Sequence, residues 1–236
     1  GWLYRGTFTA TPAAAALTSA AVFSGAAVPV VARISNGGGN PRQPDHAPDV
    51  RGLAVKLSSG PEAVDIVAQS APRFPVRSLD RMVEFVQAND PSPAGLARLA
   101  AFVAKDPRTV LPALAADASA GSTVRGSFAT KAAKALGPDY LHDEFDQRLA
   151  AGPVRFTLTL QVAEPGDRTD DPTIPWPASR PVVDAGTLEL VGPETQRETN
   201  GDILVFDPTR VVAGIELSDD PVLRIRSQVY SESVRR

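Results

Sequence analysis

The sequence has no cysteine, one methionine and only two histidines in 236 residues. Without cysteine there is no disulfide, no zinc–thiolate cluster and no thiol nucleophile. His46 sits in Pro44-Asp45-His46-Ala47-Pro48 and His142 in Leu141-His142-Asp143-Glu144. Neither has a metal-ligand spacing, so both read as surface residues. No run approaches the ~20 apolar residues of a membrane span, and no signal-peptide pattern is visible. Lysine and arginine are scattered and the formal charge is −3, which points to neither nucleic acid nor a membrane surface as partner. Asn36-Gly37-Gly38-Gly39-Asn40 looks at first like a phosphate loop. It lacks the Gly-Lys-Ser/Thr ending and is followed by Pro41 and Pro44, so it reads as a turn. Asp170-Asp171 lies in a proline-rich connection and reads as a solvated acidic pair.

What remains is a chain with ample material for a core, 43% of it hydrophobic. Leu3–Thr11 and Val28–Ser35 have strand character, with an Ala-rich helical turn over Pro12–Ala20 between them. Arg51–Leu57 and Val64–Gln69 are two more strands, separated by the turn signal Ser58-Ser59-Gly60-Pro61. From Asp80 to about Leu149 apolar residues recur at helical spacing. Val154–Val162 alternates cleanly, and Gly186–Val191 and Asp202–Phe206 complete the strands. Strands, then helices, then strands predict an α+β fold. The length suits one large domain, and the element order leaves an α+β or a barrel-with-helices fold open. The expected form is one domain over residues 1–236, an α+β closed antiparallel β-barrel with a helical insertion at about 80–149 and a C-terminal helix. The first residue is Gly1 and the only methionine is Met82, so the chain is expected to be an N-terminally truncated piece of a longer product.

The C-terminal helix carries the chemistry. Asp219 or Asp220 can cap a helix that Pro221 starts, since proline's fixed φ and missing N–H suit its first position. On that helix Arg226 and Tyr230 lie four residues apart, on one face. A guanidinium within reach of a phenol stabilises the phenolate, and tyrosinate is one of the known axial ligands of haem iron. An exposed Arg–Tyr pair is the plain alternative.

Read in order, several segments resemble the catalase superfamily, and within it the small catalase-related peroxidases. They are Val30-Val31-Ala32-Arg33-Ile34-Ser35-Asn36, Asp49-Val50-Arg51-Gly52-Leu53-Ala54-Val55-Lys56-Leu57 and Asp65-Ile66-Val67-Ala68-Gln69-Ser70-Ala71-Pro72-Arg73-Phe74-Pro75-Val76-Arg77. Phe206-Asp207-Pro208-Thr209-Arg210, Gly214-Ile215-Glu216 and Ser218-Asp219-Asp220-Pro221 then lead into the ligand helix. The resemblance implies haem b, with Tyr230 as iron ligand and Arg226 keeping it ionised. It implies that Arg33 holds a haem propionate, that Ser35 hydrogen-bonds the distal histidine, and that Val67 and Phe74 are apolar pocket walls. The implied reaction is reduction or disproportionation of hydrogen peroxide or organic hydroperoxides through a ferryl species.

Three departures accompany the resemblance. The distal Asn that polarises peroxide falls at Gln69, the same amide on a longer stem. The aromatic that packs on the haem falls near Met82, an adaptable filler. The distal histidine would lie about three residues before Gly1, and neither His46 nor His142 replaces it. Alternatives on the same scaffold are a haem carrier or sensor without turnover, a fatty-acid hydroperoxide isomerase, and a barrel without haem. The expected partner is a small-molecule peroxide, with room for a homo-oligomer. The expected compartment is the cytoplasm, or the periplasm if the upstream segment carries an export signal.

Overall fold

A computed structural model describes residues 1–37, 42–47, 49–71, 73–88, 90, 92–106, 137–199 and 202–234. Side chains at 199, 202, 203 and 230–234 are outside that description, as are residues 38–40 of the glycine turn and 107–136 of the expected helical insertion. Strands β1 (Trp2–Ala10), β2 (Val28–Asn36), β3 (Arg51–Ser59), β4 (Glu62–Gln69), β5 (Val154–Gln161) and β6 (Val182–Pro193) form one antiparallel sheet. Its order is β4-β3-β2-β1-β6-β5. Strands β3 and β4 meet through the two-residue loop Gly60-Pro61, with Ser59 opposite Glu62. Gly60 takes φ +61°, the sign a two-residue hairpin asks of its first loop position. Strands β7 (Glu198–Thr199) and β8 (Asp202–Ile203) make a short ribbon, so the strand expected over Asp202–Phe206 stops after two residues.

The sheet is a curled, open half-barrel, which corrects the closed barrel expected from sequence. β4 and β5 are its two edges and do not pair with each other. Alternation along each strand specifies which face is buried, but not whether the first and last strands meet. Bulges at Arg5/Gly6 and Leu158/Thr159 bend the half of the sheet carrying β1, β6 and β5. Helix α4 (Tyr140–Ala151) packs on the inner face instead of further strands, with Phe145 4.7 Å from Tyr4 and 6.5 Å from Phe156, ring centre to ring centre.

The bulge at β1 is built around a glycine. A Cβ on Gly6 would stand 1.9 Å from the carbonyl oxygen of Glu189 in β6, an approach that backbone must make room for. Gly6→Ala is therefore expected to cost about 1–3 kcal/mol, the usual range for forcing atoms into a packed site, measured as a lower urea midpoint.

The main core lies on the inner face: Tyr4, Phe8, Val30, Val55, Leu57, Leu188 and Leu190 pack with Val22 and Phe23 of a short 3-10 turn. Of the helical turn expected over Pro12–Ala20, only α1 (Pro12–Ala15) is helix. Helices α2 (Leu79–Ala88) and α3 (Pro93–Lys105) follow β4. Helix α5 (Pro221–Val234) ends the described chain. Its start follows the sequence reading, with Pro221 in the first turn and Asp220 Oδ1 accepting from the Val222 N–H at 2.8 Å. A second core cluster joins α5 to α2 and α3: Val222, with Ile225 and Val229, packs against Val76, Met82, Phe85, Ala88 and Phe102. No helix among the described residues is long and apolar enough to cross a membrane.

Candidate cofactor site

Strand register gathers the sequence-predicted residues on one surface. Arg33 pairs with Ala54, and Ala54 with Val67; two residues along, Ser35 pairs with Gly52, and Gly52 with Gln69. Side chains two apart on a strand share a face, so Arg33, Ser35, Val67 and Gln69 stand on the same side of the sheet. That side is the outer face, opposite Tyr4, Ala32 and Val55 of the core. Between the two outer columns β3 contributes only Gly52 and Ala54. Two strand spacings make the trough between Ser35 and Gln69 roughly 10 Å wide at the backbone. A Cβ on Gly52 would stand 3.2 Å from Ser35 Oγ, so even one methyl group would begin to fill this floor.

Each side chain has a defined setting. The Arg33 guanidinium lies 5.1 Å from the centre of the Phe206 ring. Gln69 donates through Nε2 to the Arg73 carbonyl at 3.2 Å, which ties the amide to the segment leading to Phe74. Arg226 lies over the Phe74 ring at 5.6 Å, and Phe74 is partly buried against the cluster that holds Met82. Met82 itself is 5% exposed, so it seals the contact between α2 and α5. The backbone of α5 runs unbroken through residue 230, which keeps Arg226 and Tyr230 one turn apart on one face; the Tyr230 side chain lies outside the described residues.

A buried polar knot, not foreseen from the sequence, ties this helix to the sheet. One row beyond Arg33 and Val67, Lys56 faces Asp65. Lys56 Nζ donates to both Asp65 oxygens at 2.6 and 2.8 Å, and Arg210 and the Asp207 N–H donate to Asp65 Oδ2 at 3.0 and 2.8 Å. Burial pulls the Lys56 ammonium below its ordinary pKa, against the opposing pull of Asp65. Asp207 carries the chain onward. Burial pushes its carboxyl up, but hydrogen bonds from Thr209 and from Ser227 of α5 outweigh this and leave it below the usual value. Asp65, Asp207 and Ser227 thus connect β4 to the turn of α5 that follows Arg226. Lys56, Asp65 and Phe206–Arg210 all stand inside the quoted segments, but contacts across 142 residues cannot be read from spacing.

Asp220 has a second electrostatic role. Burial raises its carboxyl above the ordinary value, the Asp171 charge adds to this, and Arg226 opposes it. A raised carboxyl binds its proton more tightly in the folded state, so stability falls as pH rises through the window above the ordinary carboxylate pKa. Asp220→Asn keeps a capping oxygen and removes the charge. Its urea midpoint should exceed that of the wild type at neutral pH, with the difference vanishing below the ordinary carboxylate range.

The two histidines are not simple surface residues. His142 has a side chain 20% exposed and its ring centre lies 3.8 Å from that of Trp2. His46 has a buried Nδ1. Among the described residues no group of three or more His, Asp or Glu side chains is arranged to hold a metal ion. Asp171, expected in a solvated loop, is 6% exposed and accepts from the Thr173 N–H and hydroxyl.

Comparison with known proteins decides the family. The catalase family profile matches residues 1–110. A catalase-related peroxidase of Mycolicibacterium paratuberculosis is 40% identical over 271 aligned positions, covering 100% of this chain and 86% of that protein. The chain belongs to the catalase superfamily, among the small catalase-related peroxidases. A catalase-related peroxidase of Synechococcus elongatus is 29% identical, over 97% of this chain and 78% of its own length. In fold, the chain superposes on a fungal catalase with a TM-score of 0.82 at 21% identity, and on catalase A of Saccharomyces cerevisiae with 0.84 at 19%. It spans 57% and 59% of those two chains.

Proposed function

We propose that the chain is the haem-binding part of a peroxidase or catalase that acts on hydrogen peroxide or organic hydroperoxides. The observation that carries this reading is the outer-face grouping of Arg33, Ser35, Val67 and Gln69, whose open end is the Ser35–Gly52–Gln69 row lining a cavity of about 680 Å³, while Ala54 is buried beside Phe206. The donor set suits haem b: a guanidinium for a propionate, an amide and a hydroxyl at the edge, and a tyrosine on α5. Haem, when bound, supplies the redox centre that lets the O–O bond of a peroxide break.

The chain's own residues do the rest. Arg33 would pair with a propionate and fix the orientation of the macrocycle. Tyr230 would ligate iron as the phenolate, with Arg226 holding its proton off. Gln69 would donate a hydrogen bond to the bound peroxide, and Ser35 would orient the base that moves the peroxide proton. Val67, Phe74 and Met82 would exclude water, which strengthens each polar contact.

The test is reconstitution of the full-length protein with haem, followed by absorption spectra and peroxide consumption. The expected result is a Soret band and turnover far above that of free haem at the same concentration. A protein that takes up haem yet consumes peroxide no faster than free haem would be a carrier or sensor, and the enzymatic reading would be lost.

A further inference from the structure

The two edges of the half-barrel differ. On β4 the Asp65 N–H donates to the Arg210 carbonyl at 3.3 Å, so backbone already lies along that edge. Glu62 and Asp65 add charges of the kind that discourages a further strand from pairing there. β5 has no such protection. Its eight residues, Val154–Gln161, hold no proline or glycine and span about 27 Å at the usual rise per residue. Their one charge, Arg155, is matched within the chain by Glu189 of β6 at 2.6 Å. The bulge opposite Leu158/Thr159 places its extra residue, Ala185, on β6, so β5 itself stays regular. Among the described residues, the backbone groups of β5 that point away from β6 have no hydrogen-bond partner.

The side chains are half covered in the same way. Phe156, Leu158 and Leu160 rest on the core but stay only partly buried, whereas Leu188 and Leu190 on β6 are 5% and 0% exposed. Arg155, Thr157, Thr159 and Gln161 form the exposed outer row. A strand that completes this edge must alternate apolar and polar residues in the same phase, and β5 itself does so. Two copies related by a twofold axis through Leu158, perpendicular to the sheet, would pair β5 with β5 antiparallel and keep inner face beside inner face. Phe156 then stands across from Leu160, Leu158 from Leu158, Thr157 from Thr159, and Arg155 from the uncharged Gln161. Aromatic–aliphatic and Thr–Thr pairs of this kind each contribute about 0.2–1 kcal/mol, and no like charges meet.

We infer that the open edge of β5 is a dimerisation surface whose occupant is β5 of a second copy of this chain, joining the two half-barrels into one continuous sheet. The inference does not depend on the peroxide reading, because its test needs neither haem nor peroxide. The test is sedimentation velocity of the full-length protein over a wide range of concentrations, where a reversible monomer–dimer equilibrium is expected. Thr157→Lys with Thr159→Lys, at two exposed positions, sets lysine against lysine across the axis. It should weaken the dimer at least about tenfold, with the urea midpoint unchanged at a dilution where the wild type is monomeric. Thr157→Glu with Thr159→Glu should weaken it likewise. An equimolar mixture of the two double variants should associate again as a heterodimer, because each lysine then faces a glutamate. A chain that stays monomeric at every concentration, the result expected if another part of the chain covers this edge, would overturn the inference. So would a dimer indifferent to both double variants, or a mixture that associates no better than either variant alone.

Discussion

Tyr230→Phe is expected to abolish the Soret signature of an anionic oxygen ligand and to lower peroxide turnover by at least about a hundredfold. A tyrosine loses its proton near pH ~10, so holding it as phenolate at pH 7 costs about 4 kcal/mol at 1.36 kcal/mol per unit. On the proposed reading, bound iron would offset most of this cost and a neighbouring guanidinium part of the remainder. Phenylalanine keeps the ring but removes the ligand atom, so the unfolding midpoint should change little while the spectrum changes completely. Arg226→Leu separates the two roles. Without the cation the phenol pKa rises, so ligation by Tyr230 should appear in the spectrum only at higher pH than in the wild type. Arg226→Lys, which keeps the charge but not the planar fork, should fall between the two. A Tyr230→Phe spectrum identical to the wild type would remove the tyrosinate ligand from the proposal.

Much of the local structure that carries these residues is legible in the amino-acid sequence alone. The helix from Pro221 is readable because its start depends on a local rule, an Asp before a Pro, and Asp220 duly caps it. The strands at 28–36, 51–59 and 62–69 are readable because alternation and the Gly60-Pro61 turn are also local. Once those strands pair, the grouping of Arg33, Ser35, Val67 and Gln69 follows from the period of two. The form of the sheet is not legible. Whether β4 reaches β5 depends on the curl set by two bulges and on what packs inside, and Gly6 reveals its role only against Glu189 of a strand more than 180 residues away. The same limit hides His142, whose polar neighbours suggest exposure but which lies against Trp2. It also hides the knot around Asp65, whose members each look ordinary in sequence. Local rules give elements and faces, and long-range contacts determine how the faces are joined.

That knot yields the largest expected effect on folding. In Asp65→Ala, Lys56 would remain buried without its hydrogen-bonded carboxylate, only the Asp207 charge still acting on it, and Arg210 and the Asp207 N–H would lose an acceptor. Breaking one side of a buried pair typically costs about 3–5 kcal/mol, because the remaining charge is stranded in a medium that solvates it poorly. A loss of about that size is expected from urea unfolding, enough to consume much of a domain's ~5–15 kcal/mol of stability. Lys56→Met in the same chain should restore part of it, since an apolar side chain on the strand no longer needs a counter-charge. It should not restore all, because Arg210 and the Asp207 N–H stay without Asp65. The consequences should also reach the site. Asp65 fixes Asp207, and Asp207 accepts from Ser227 on the turn of α5 after Arg226. The double variant, folded but without this link, should therefore load haem with a broadened or shifted Soret band relative to the wild type. An unshifted band in that variant would mean that the knot stabilises the fold without positioning the helix that carries Arg226 and Tyr230.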